Sequence, residues 1–134
     1  MTRRARTTQD AIDQILATAR LERVDWLESF LKHSQIKDAA GISEAVDAAL
    51  RLYGRTKPYG SETIRTPKQV AIAGGDHEDC AAFAIALAIA LGLPYELKIL
   101  LFGRKSLDLA LSKGDERTIS LTIANVQILP RLVK

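Results

Sequence analysis

Residues 80–91 form an unbroken run of twelve apolar side chains, built mainly from alternating alanine and leucine, isoleucine or phenylalanine. A helix made from this run has no polar face, so the rest of a domain has to surround it. At about 1.5 Å per residue it spans roughly 18 Å, well short of the roughly 30 Å hydrocarbon core of a bilayer. It therefore reads as a buried core helix and not as a membrane span. Both ends are marked. Asp76 is placed to serve as N-cap, Glu78 and Asp79 put negative charge at the positive end of the helix dipole, Gly92 suits the left-handed position after the helix, and Pro94 cannot extend it. The segment Gly74-Gly75-Asp76-His77-Glu78-Asp79-Cys80 is thus a polar mouth on a rigid rod, where a fixed constellation of side chains is readily built.

A chain of 134 residues fits a single domain, 1–134, with one core. Its 47% hydrophobic and 26% charged residues argue against disorder. One cysteine excludes an intrachain disulfide framework and suits a reducing compartment. No apolar stretch follows the charged N-terminus, so no secretory signal peptide is expected. The net charge of +3 can be accounted for by Arg3, Arg4 and Arg6 in a basic arm, residues 1–7. Such an arm can touch nucleic acid, an anionic membrane or an acidic partner, or simply be solvated. With seven aromatic residues, no stacking motif and no long basic stripe, a sequence-reading nucleic-acid module is not expected.

Hydrophobic periodicity divides the remainder. Residues 8–54 are helical. Ile12, Ile15, Leu16 and Ala19 form one stripe, the phase slips at 20–23, and Val24, Leu27, Phe30 and Leu31 form a second. Asp25 and Glu28 are spaced as a capping pair, and one bent helix and two helices both fit. A polar loop at 34–41 precedes a helix capped by Ser43, burying Val46, Ala49, Leu50 and Tyr53 and ending at Gly54. Residues 55–73 form a connection with a short helical turn at 68–72. Residues 74–134 hold the buried helix and an antiparallel sheet. After the helix the period becomes two, with Leu97, Ile99 and Leu101, then Leu107, Leu109 and Leu111, then Ile119, Leu121 and Ile123 on alternate positions. Turns at 103–105 and 113–116 predict a meander, and Val126, Ile128, Leu129 and Val133 predict a final strand or strap. The expected fold class is α+β: N-terminal helices and a buried central helix packed on a three- to four-stranded antiparallel sheet.

This order of parts resembles the transglutaminase-like superfamily. The residues that carry the resemblance are Gly75-Asp76-His77-Glu78-Asp79 at the helix entrance, Leu91-Gly92-Leu93-Pro94 at its exit, and Glu62-Thr63-Ile64-Arg65-Thr66-Pro67 upstream, as in small phage and bacterial members. It covers about residues 43–102. The family motif is Gly-Asp-Cys-(Asp/Glu)-Asp, with the cysteine as nucleophile fifteen residues before the closing glycine. Fifteen residues before Gly92 lies His77. Family members also carry a general-base histidine on the second strand after the helix and an orienting aspartate on the third. Here residues 106–111 hold no histidine, residues 118–124 hold no carboxylate, and only Asn125 follows as a weak substitute.

The resemblance therefore implies a scaffold that has lost its chemistry: a non-catalytic structural or assembly protein, in a phage setting a virion component, located in a virion or the cytoplasm. Its expected partners are protein subunits of an oligomer or complex, with nucleic acid possible for the arm residues Arg3, Arg4 and Arg6. No cofactor and no metal is expected. The alternative is a thiol-dependent hydrolase or transamidase in which Cys80 pairs with His77, three residues earlier on one helical face, beside Asp76 and Asp79. Against it stands burial, which raises a thiol pKa. A zinc site at His77 and Cys80 lacks two further ligands at motif spacing, and His33 reads as a solvated residue near a helix end.

Overall fold

The computed structural model describes residues 8–56, 64–101 and 117–129. Among these, five helices precede three strands: α1 (Thr8–Ala19), α2 (Val24–His33), α3 (Ala39–Thr56), α4 (Pro67–Ala73), α5 (His77–Leu91), β1 (Tyr95–Leu101), β2 (Arg117–Ile123) and β3 (Val126–Ile128). The helices pack with an antiparallel sheet, so the fold is α+β. Residues 1–7, with the arginines of the basic arm, lie outside the described residues, as do 57–63, 102–116 and 130–134.

The phase slip at 20–23 is a break between two helices. Arg23 is extended at φ −70° and ψ 142° and takes the N-cap position of α2. The expected capping pair of Asp25 and Glu28 does not form, because the cap falls two residues before Asp25, whose Oδ1 accepts from the Trp26 amide at 3.0 Å. Val24, expected on the apolar stripe, is exposed, while Leu27 and Leu31 are buried. The next helix also starts earlier than expected. Asp38 Oδ1 accepts from the Gly41 amide at 2.9 Å, so the cap lies at 38 and Ser43 sits inside the helix. Gly54 does not end it; α3 continues to Thr56.

Within the 55–73 connection, α4 is a full short helix. Thr66 and Gln69 form a capping box with Pro67 in the first turn, where its missing N–H costs nothing. Residues 80–88 of α5 are enclosed by α1, α2, α3, α4 and β2. Burying Phe83, Ile85 and Leu87 stabilises by roughly 1.5–3 kcal/mol each. The enclosure ends one turn before the helix does, since Ile89 is 42% exposed. Gly92, at φ +69°, closes α5 in the left-handed conformation, and the Leu93 amide reaches back to Ala88 O at 2.8 Å.

The sheet order is β1-β2-β3, with Tyr95 opposite Ile123 and Leu101 opposite Arg117. This corrects the expected meander. Residues 106–111 lie outside the described residues, and the strand expected third pairs directly with the first. Alternation predicts strands and their faces; it does not specify which strand is the neighbour. The apolar positions are placed as expected: Ile119, Leu121 and Ile123 are fully buried, and β2 packs on α5. Between β2 and β3 the two turn residues Ala124 and Asn125 have φ of 48° and 70°, as a type I′ hairpin requires.

Candidate functional site

The entrance of α5 is built from three pieces of backbone. The Gly74-Gly75 bend leaves α4 and lies against the last turns of α3, with the Gly75 amide 3.4 Å from Ala49 O. Gly74 adopts φ +78° and ψ −176°, a region open essentially to glycine alone. A Cβ there would lie 2.4 Å from Ala49 O and 2.6 Å from the Tyr53 nitrogen, both backbone atoms of α3. At Gly75 a Cβ would lie 2.5 Å from Asp79 Cβ. The glycine pair therefore permits close approach of α3, the bend and the first turn of α5.

On this bend sits a reciprocal cap. Asp76 Oδ1 accepts from the amides of Glu78 at 3.1 Å and Asp79 at 3.0 Å, and Asp79 Oδ2 accepts from the Asp76 amide at 3.0 Å. The other oxygen, Asp79 Oδ1, accepts from the Arg65 amide at 2.8 Å. Arg65 ties the same turn from the other side. Its Nη1 donates to Gly74 O at 2.6 Å and Ala73 O at 3.2 Å, and its guanidinium lies 5.6 Å from the Tyr53 ring centroid. The segment before α4, the bend and the helix entrance are thus one hydrogen-bonded unit.

The candidate reactive side chains lie inside this unit. Cys80 has no solvent exposure, and its thiol donates to Gly75 O at 3.3 Å. Burial drives the thiol pKa far above its ordinary value of 9.0, and the carboxylates of Asp79, Asp76 and Asp47 push it further in the same direction. The helix dipole favours a thiolate at the first turn, but here desolvation and negative neighbours oppose it and prevail. His77, in the polar mouth beside Asp76 and Asp79, takes no part in the reciprocal cap. The cap is made by the two aspartates, and His77 is instead buried with Nε2 3.6 Å from Glu78 Oε1, itself buried. The structure brings Asp76, His77, Asp79 and Cys80 together as neighbours of one helix turn. The Cys80 thiol bonds to Gly75 O, while His77 Nε2 faces Glu78 Oε1.

Other expected site residues lie elsewhere. Asn125 is exposed in the β2–β3 turn, and His33 is exposed in the last turn of α2. Arg3, Arg4 and Arg6 fall outside the described residues, as do 106–111, where the resemblance would put a base. Among the described residues no group of three or more His, Cys, Asp and Glu is arranged to hold a metal ion, and no helix is long and apolar enough to cross a membrane. Sequence reasoning missed the roles of Arg65 and Glu78. Arg65 stood within the segment carrying the resemblance, but nothing local shows an arginine that bonds nine residues ahead. Compared with known proteins, the chain matches no family model, no curated protein and no solved structure.

Proposed function

We propose that this chain is a non-catalytic structural or assembly protein, a transglutaminase-like scaffold whose former catalytic entrance now serves as a structural joint. In the phage setting suggested by the resemblance, it acts as a virion component. One observation carries this reading: the groups that chemistry would need are engaged in holding the joint. Both oxygens of Asp79 and one of Asp76 accept backbone amides, and the Cys80 thiol is enclosed, bonded to Gly75 O and held protonated. A nucleophilic thiol has to be ionised and reachable. Neither condition is favoured at Cys80.

The rival reading, a thiol-dependent hydrolase or transamidase using Cys80 with His77, would require the thiol to ionise against burial and nearby carboxylates. The test is an amidase and transamidase assay on glutamine-containing peptides, run on the purified protein and on Cys80→Ala. The scaffold reading predicts no turnover above background in either. Turnover abolished in Cys80→Ala overturns it, and turnover that survives in Cys80→Ala would demand a different catalytic centre.

A further inference from the structure

We draw no further inference here: the strongest candidate, the groove between α2, α3 and α4 lined by Phe30 and Phe83, carries nothing, because nothing among the described residues shows what covers it.

Discussion

Replacing Gly74 by alanine tests the close approach that builds the α5 entrance. The backbone conformation, φ +78° with ψ −176°, costs a residue with a Cβ about 1–3 kcal/mol. The new methyl would meet Ala49 O at 2.4 Å and the Tyr53 nitrogen at 2.6 Å. These are backbone atoms of a helix and cannot rotate away. Relief requires α3 and the bend to separate, which weakens the Gly75 amide bond to Ala49 O and the pair of bonds from Arg65 Nη1, a further loss of about 1–2 kcal/mol. The expected cost is about 2–5 kcal/mol, a large part of the roughly 5–15 kcal/mol that holds a small domain folded. Gly92 supplies the control. It also has positive φ, +69°, but an added Cβ would meet nothing within 4 Å, so Gly92→Ala should cost only about 1 kcal/mol. Urea unfolding followed by circular dichroism gives both values from the midpoint and slope. Equal losses for the two variants would show that conformation alone matters and that the contact with α3 does not constrain the bend.

Three further outcomes follow from the same geometry. The Cys80 pKa is raised in the folded state, so the neutral thiol is favoured there; below pH 9 this adds nothing, and above it the unfolded thiol ionises first. Stability of the wild type should therefore fall relative to Cys80→Ala by about 1.4 kcal/mol per pH unit above pH 9, and parallel curves would refute the shift. Arg65→Lys keeps the charge but loses the planar group that reaches two carbonyls beside the Tyr53 ring, so urea unfolding should show a loss of about 1–2 kcal/mol; an unchanged midpoint would mean the staple is idle. Ala124 holds φ +48° in the β2–β3 turn, so Ala124→Gly should stabilise by up to about 1 kcal/mol in the same assay, and destabilisation would contradict the turn assignment.

What the sequence disclosed was local. The caps of α5 at Asp76 and Gly92, its enclosure through Ala88, the buried face of β2 and the half-buried face of β1 follow from spacing, because each depends on residues within a few positions of one another. The start of α3 did not. Gly41 reads as a breaker, yet its amide is the donor that Asp38 caps, and a Cβ there would lie 3.3 Å from Ile36 Cγ2, so packing outweighs propensity. The direct pairing of β1 with β2 was hidden because alternation carries no address for the partner strand. At the site, Asp76, His77, Asp79 and Cys80 were correctly drawn to one turn, but their work was not readable. Whether a carboxylate faces a substrate or an amide fourteen residues back, as Asp79 faces Arg65, is decided by long-range packing. Glu78, which reads as negative charge at the positive end of the helix dipole, is buried beside His77 for the same reason.

The central claim is that Cys80 belongs to a closed joint. Because it is the single cysteine of the chain, the rate of its alkylation by iodoacetamide in the folded protein, followed by intact-mass spectrometry, reads the joint directly. A closed joint predicts labelling slowed by about 10³-fold or more relative to the urea-unfolded chain, as expected when modification waits for unfolding worth at least about 5 kcal/mol. Labelling of the folded protein at the rate of the unfolded chain, or faster, would contradict the account and return Cys80 to the role of nucleophile.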